Sequence, residues 1–272
     1  MRSWRRRILL WLGLIAAGWL TLQLIAAPLA DAILYQPPPV TGDPASADRL
    51  TSSLGDEIAW LHLPAPEGGP TVIFLHGNAT DLQTAADFLH RYHQHGFGIL
   101  AIDYPGYGAS GGTPSEAGLY AAALSAVDHA LKELHIPADR LLIHGNSLGC
   151  APAIYAASQR PVAGLILDSP FLTLYRVRTV WPILFGDRFR NDLFLPQTDC
   201  PVLIRHGAED RTIPAWHSAA LARRIGDRAE RILVPKAGHN DLRHRLGATF
   251  WDQLTAFARR SGAWEDHHAL RP

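Results

Sequence analysis

Seven short apolar runs alternate with segments of helical period along most of the chain, and this alternation restricts the possible folds more than any other feature. The runs are IAWLHL from Ile58, TVIFLHG from Thr71, GILAID from Gly98, RLLIHG from Arg140, GLILD from Gly164, PVLIRHG from Pro201 and RILVP from Arg231. Short, nearly continuous apolar runs suit strands buried on both faces, and helical segments between them supply the covering layers of a mostly parallel sheet. The clearest helical segment follows Thr113. There Thr113-Pro114-Ser115-Glu116 reads as a capping box with proline at the first helical position, and Tyr120, Leu124, Val127, Leu131 and Leu134 follow at helical spacing until Pro137. One stretch breaks the alternation. Phe171 to Pro196 lacks a strand pattern but holds Trp181, Phe185, Phe189 and Phe194, so it is expected to be a lid or binding insertion. The expected class is α/β, a mostly parallel central sheet with helices on both faces and a short lid insertion.

The first 34 residues are a separate segment. From Ile8 to Ala27 the only polar side chains are Thr21 and Gln23. Twenty helical residues at about 1.5 Å each match the roughly 30 Å core of a bilayer. Arg2, Arg5, Arg6 and Arg7 precede this span, so the N-terminus is expected to be cytoplasmic, with Trp4 at the interface and Tyr35 onward across the membrane, periplasmic or extracellular. The alternative is secretion after signal cleavage at the A-x-A-like Ala30-Asp31-Ala32. Against it, the apolar stretch exceeds the roughly 7–15 residues of a signal core, and Pro28 is expected to end the helix before that site. The zero formal net charge of the whole chain is a sum over unlike parts, since the remainder carries a net of −3. That balance gives no reason to expect nucleic-acid binding, and 47% hydrophobic residues exclude a disordered chain. Residues 35–272 are expected to form one domain, with the insertion at 171–196. Cys150 and Cys200 fall at opposite ends of the expected sheet, too far apart for a disulfide.

Gly145-Asn146-Ser147-Leu148-Gly149 follows a strand-like run and opens a helical stretch. This is the context in which G-x-S-x-G marks a nucleophile on a sharp turn, whose flanking positions approach too closely for side chains. A serine hydroxyl needs a histidine to take its proton, and the histidine needs a carboxylate to hold its tautomer. Asp210 and His239 follow two later runs in that order, each past a strand end, where an open α/β sheet places its crevice. Asp168 is a rival acid in permissible order, but it leads directly into Ser169-Pro170, where it serves equally as a turn residue. Backbone amides are expected to bind the developing oxyanion: that of Leu148, and that of Asn78 in the His76-Gly77-Asn78-Ala79 loop, with Ala79 the alternative. His76 reads as structural.

These motifs together resemble the α/β-hydrolase superfamily, and within it the membrane-anchored α/β-hydrolase-domain proteins that include lysophospholipases and protein palmitoyl-thioesterases. The resemblance rests on LYQPP after the apolar segment, HGNATDL, DYPGYGASGGTPSE, GNSLG, LDSPF, HGAEDRTIP and GHND, spread from Leu34 to Asp241. It implies an α/β-hydrolase fold, Ser147 as nucleophile with Asp210 and His239 as its partners, no cofactor, and an ester, thioester or amide substrate, small or lipid-like. Serine aminopeptidases share the motif set, so a peptidase using the same residues is the alternative, and a non-catalytic scaffold binding a lipid or a protein is the second. The sequence shows no cysteine-rich N-terminus like that of the mammalian thioesterase branch, and with the expected exported location this departure counts against an expectation of protein depalmitoylation.

Two other groups carry less. His90, His93 and His95 cluster in sequence, but helical steps of about 100° point them apart, so no metal site is expected. His267 and His268 sit in a polar tail. Tyr104 and Tyr107 in DYPGYG read as packing residues beside a turn.

Overall fold

The computed structural model describes residues 2–40, 47–179, 181 and 185–264. His267 and His268 lie outside these, as do residues 180 and 182–184 of the insertion. In chain order the elements are α1 (Arg2–Leu34), β1 (Asp48–Thr51), β2 (Glu57–Leu63), β3 (Thr71–Leu75), α2 (Leu82–Gln94), β4 (Gly98–Ile102), α3 (Glu116–Lys132), β5 (Leu141–Asn146), α4 (Cys150–Gln159), β6 (Gly164–Asp168), α5 (Asn191–Phe194), β7 (Val202–Gly207), α6 (Trp216–Ile225), β8 (Ala229–Val234), α7 (Leu242–Leu246) and α8 (Thr249–Arg260).

The strands form one sheet in the order β1-β2-β4-β3-β5-β6-β7-β8. Pairing is parallel from β4 to β8 and antiparallel for β1 and β2 at the edge. All seven apolar runs are strands. The eighth strand, β1, has no counterpart among the runs because Leu50 is its only apolar residue and its pattern is largely exposed. An edge strand buries little, so it leaves little hydrophobic signal.

Alternate residues of each buried strand face two separate helical layers. On β3, Ile73 and Leu75 join the cluster with Leu119, Val127, Ile154 and Leu221 from α3, α4 and α6. Val72 and Phe74 join Leu89, Tyr92, Phe250 and Leu254 from α2 and α8 on the other face. Each fully buried Leu, Ile, Val or Phe of this kind contributes about 1.5–3 kcal/mol relative to exposure, which is why the strand runs are so uniformly apolar.

Three local expectations need correction. The cap of α3 is Ser115, not Thr113: Ser115 is extended (φ −156°) and its Oγ accepts from the Gly118 amide at 3.0 Å. Proline therefore precedes the cap, and Glu116 is free to accept from Tyr120 Oη at 3.0 Å and from the Phe189 amide at 2.5 Å in the insertion. The same helix ends at Lys132, before Leu134 and Pro137. Finally, α1 runs through Pro28 to Leu34. A proline removes one rung of the hydrogen-bond ladder and crowds the preceding turn, but bonding resumes on either side of it. The span Arg6–Ile25 is apolar and long enough to cross a membrane, as a membrane anchor or a signal sequence would be.

Candidate active site

The sheet register brings the C-terminal strand ends level. Asn146 at the end of β5 pairs with Asp168 of β6, and Gly207 at the end of β7 pairs with Val234 of β8. Ser147, Asp210 and His239 each follow one of these ends, so they project from one edge of the sheet.

Ser147 sits in a backbone conformation that side chains seldom adopt, φ +52°, between β5 and the helical turn that leads into α4. The glycines around it have no room for substitution. A Cβ on Gly145 would lie 2.5 Å from the Gly149 carbonyl oxygen, and one on Gly149 would lie 2.1 Å from that of Leu75. The elbow is thus pressed against itself and against the end of β3. A Cβ on Gly77 would lie 3.8 Å from that of Ser147, which places the His76–Ala79 loop directly over the serine.

Ser147 Oγ donates to His239 Nε2 at 2.9 Å, and His239 Nδ1 donates to Asp210 Oδ2 at 2.7 Å. Asp210 is held from its other side by the Thr212 and Ile213 amides, which donate to Oδ1 at 2.9 and 2.8 Å. Burial alone would raise its pKa, but nearby His206, His239 and the Ile213 amide outweigh burial and hold it well below the usual carboxylate range. It is therefore an anion at neutral pH, able to stabilise an imidazolium at His239. The two loops that carry acid and histidine are stapled together: the Ala208 and Glu209 amides donate to the Val234 and Ala237 carbonyls at 2.9 and 2.8 Å.

Asp168 is committed elsewhere. Arg205 grips it with Nε to Oδ1 at 2.7 Å and a terminal nitrogen to Oδ2 at 3.0 Å. His144 donates from Nε2 to the same Oδ2 at 2.9 Å, while its Nδ1 accepts from Tyr92 Oη. Burial lowers the His144 pKa, so the ring is neutral and can do both. This network ties β5, β6 and β7 together beneath the elbow. A signal for it exists in the sequence: arginine in the middle of PVLIRHG, a fully buried strand, requires a buried anion.

The structure adds partners that the motifs did not reveal. Asn78 Nδ2 donates to the Leu34 carbonyl at the end of α1, and its Oδ1 accepts from the Gln36 amide at 3.1 Å and from Tyr107 Oη at 2.6 Å. The exit of α1 is therefore clamped to the loop over Ser147. Tyr104 and Tyr107 are fully buried, and Tyr104 Oη donates to the His76 carbonyl at 2.8 Å. His76 is buried, with Nδ1 donating to the Gly77 carbonyl at 2.8 Å. Leu148 is buried in the turn after Ser147.

The insertion is anchored at its base by His217, whose Nδ1 accepts from the Leu172 amide at 3.0 Å. Burial and neighbouring His206 push this imidazole down to about 4, so it stays neutral and keeps that role. Phe189 is fully buried against Tyr120 and Phe171. Trp181 and Phe185, by contrast, are exposed. A cavity of about 190 Å³ beside the loop is lined in part by Gly77, Ala79, Asn146 and Arg243. It is smaller than the roughly 300–1,000 Å³ that drug-sized ligands occupy.

Among the described residues, no group of three or more His, Cys, Asp or Glu is placed to hold a metal. His90 and His95 instead bond to the Ala86 and Arg91 carbonyls at 3.0 and 2.8 Å, and His95 stacks on Trp251. Cys150 and Cys200 are buried free thiols.

The model of the Alpha/beta hydrolase family matches residues 72–198. An uncharacterized protein of Mycobacterium tuberculosis is 33% identical over 223 residues, covering 79% of each chain. The chain belongs to the α/β-hydrolase superfamily. The α/β-hydrolase domain-containing protein aho-3 of Caenorhabditis elegans is 34% identical over 200 residues, 71% of this chain. Protein 17C of the α/β-hydrolase domain-containing proteins, from Xenopus tropicalis, is 35% identical over 198 residues, again 71% of this chain. The chain spans only 59% and 63% of the length of these two animal relatives. Among solved structures, a Pyrococcus furiosus esterase superposes with a TM-score of 0.69 over 84% of this chain and 98% of its own, at 17% identity. At that identity the likeness concerns the fold, the eight-stranded mostly parallel sheet with helices around it.

Proposed function

We propose that this hydrolase cleaves a carboxylic ester or thioester with an acyl, lipid-like portion, through an acyl-enzyme on Ser147. The observation that carries the reading is the continuous hydrogen-bonded chain from Ser147 Oγ through His239 to the Asp210 anion. His239 Nε2 takes the hydroxyl proton as Oγ attacks the acyl carbon, and Asp210 stabilises the resulting imidazolium. The backbone amides of Leu148 and Asn78 are assigned to the tetrahedral oxyanion, in keeping with the loop's approach to Ser147. His239 then returns its proton to the departing alcohol or thiol. Water, deprotonated by the same nitrogen, hydrolyses the acyl-enzyme and regenerates the serine. The chemistry draws on these residues alone and needs no cofactor. The apolar insertion favours an acyl substrate over an aminoacyl one, and α1 fits an anchor that holds the catalytic part on the non-cytoplasmic side of a membrane.

Hydrolysis of p-nitrophenyl esters is expected to rise from the acetyl to the octanoyl ester, with acyl thioesters and lysophospholipids also tested and aminoacyl amides turned over more slowly. Turnover of aminoacyl amides without ester hydrolysis would instead establish the peptidase alternative. A second prediction concerns the clamp on the oxyanion loop. Asn78→Ala keeps the backbone amide but releases the bonds to Leu34, Gln36 and Tyr107. Because misplacing a catalytic group by about 1 Å costs on the order of 10²-fold, kcat is expected to fall about 10- to 100-fold with KM nearly constant. Steady-state kinetics on one ester check this, and a change confined to KM would contradict the oxyanion role.

A further inference from the structure

We infer that Trp181 and Phe185 of the insertion enter the same bilayer as α1, making a second membrane contact. This rests on reading α1 as a membrane span, and it deepens the acyl-substrate proposal by stating where the substrate enters.

No residue of the span Arg6–Ile25 is buried in the protein, and Gln23 is its only half-buried position. What touches it there is the insertion. Phe185 packs edge-on against Trp19, with ring centroids 5.1 Å apart, and the Phe185 amide donates to Gln23 Oε1 at 2.7 Å. Trp19 lies six residues inside the end of the span, about 9 Å along the helix axis. A ring held at that level sits at a depth typical of interfacial elements, whose apolar faces are buried about 5–10 Å.

The chemistry of the contact suits hydrocarbon. A loop amide in lipid must find a partner in the protein, because no water is present to serve. Gln23, one of two polar side chains in the apolar stretch, supplies the acceptor for Phe185. Trp181 and Phe185 expose 75% and 72% of their surface. That exposure is costly in water and favourable at a membrane boundary, where tryptophan concentrates. Arg178, exposed on the same insertion, suits anionic headgroups.

The consequence is a route for substrate. The insertion leaves the sheet at Asp168, whose pairing with Asn146 puts it level with the residue before Ser147. A bilayer contact at Trp181 and Phe185 brings the serine's edge of the sheet toward the leaflet, so an acyl lipid enters sideways from the membrane.

The test uses the full chain in bilayer nanodiscs, with an environment-sensitive NBD fluorophore on Trp181→Cys or Phe185→Cys and doxyl-labelled phosphatidylcholine as quencher. Cys150 and Cys200 stay in place, since burial raises both thiol pKa values and shields them from labelling. Ile15→Cys in the span and Asp139→Cys, exposed at the far end of β5, are the references. Labels at 181 and 185 are expected to be blue-shifted and quenched to an extent comparable with the label at 15, while the label at 139 is not. Labels at 181 and 185 that behave like the one at 139, with 15 quenched, would overturn the inference and leave the anchor intact. If 15 is also unquenched, the anchor reading fails and the inference fails with it.

Discussion

Ser147→Ala is expected to lower kcat for an acyl ester by about 10⁶-fold, as loss of the nucleophile does where serine and histidine act as a unit, while the fold persists. The substitution removes one hydroxyl and one hydrogen bond to a partly exposed histidine, a change of about 0.5–1.5 kcal/mol. It leaves the backbone at φ +52°, so whatever strain the elbow stores remains. Ser147→Gly separates the two effects. Glycine accepts that conformation without the penalty of about 1–2 kcal/mol that a Cβ brings, so this variant is expected to be equally inactive yet to unfold at a higher denaturant concentration than Ser147→Ala. Unfolding curves read beside initial rates check both. Residual turnover within a few-fold of the wild type would exclude Ser147 as nucleophile.

The second large effect lies beneath the site. Arg205→Met is expected to destabilise the fold by about 3–5 kcal/mol at neutral pH, the usual cost of removing one partner from a buried ion pair. Arg205 is fully buried, grips Asp168 through two nitrogens and stacks over the Phe250 ring at 3.9 Å. Burial alone would raise the Asp168 pKa, and Arg205, then His144, reverse this and hold it well below the usual carboxylate range. A carboxyl depressed on folding contributes stability that is present above its unfolded pKa and is lost as pH falls through the folded value. In the variant the arginine no longer opposes burial, so proton uptake relieves the buried charge as pH falls. The gap between variant and wild type is therefore expected to narrow from pH 7 toward pH 4. Denaturant unfolding across that range measures it, and a constant gap would mean that Arg205 acts through packing on Phe250 rather than through charge. Arg205→Met combined with Asp168→Asn should lose less than Arg205→Met alone.

The contrast between elbow and network shows what a sequence discloses. The elbow was legible because its requirements are local: Gly145 and Gly149 are dictated by backbone atoms within a few residues and by the adjoining strand, and the strand–turn–helix context surrounds them. The seven apolar runs were legible because strands buried on both faces need apolar residues at every position, as the uniformly buried patterns of β3, β4 and β6 illustrate. Ser147, Asp210 and His239 each follow a strand end in the sequence, and the register of β5 to β8 explains why positions so far apart in the chain meet at one edge of the sheet.

Contacts between distant residues were not legible. Asn78 meets Leu34 across 44 residues and Arg205 meets Asp168 across 37, and neither separation leaves a periodic trace. Arg205 inside an apolar strand was a visible clue to a buried acid, whereas nothing near Asn78 signals that its side chain holds the end of α1. Ser115 and Pro28 show a further limit. Both Thr113 and Ser115 qualify as caps by residue type, and a proline can kink a helix or stop it, so tertiary placement decides between outcomes that local rules allow equally.

The most direct test of the account is reaction of the wild-type protein with a fluorophosphonate probe, followed by mass-spectrometric mapping of the adduct. A phosphonyl group on Ser147, lost in Ser147→Ala and slowed in Asp210→Asn and His239→Ala, is the predicted result. Folded wild-type protein that takes up no probe, or carries it on a different residue, would contradict the hydrogen-bonded chain of Ser147, His239 and Asp210 as the catalytic centre.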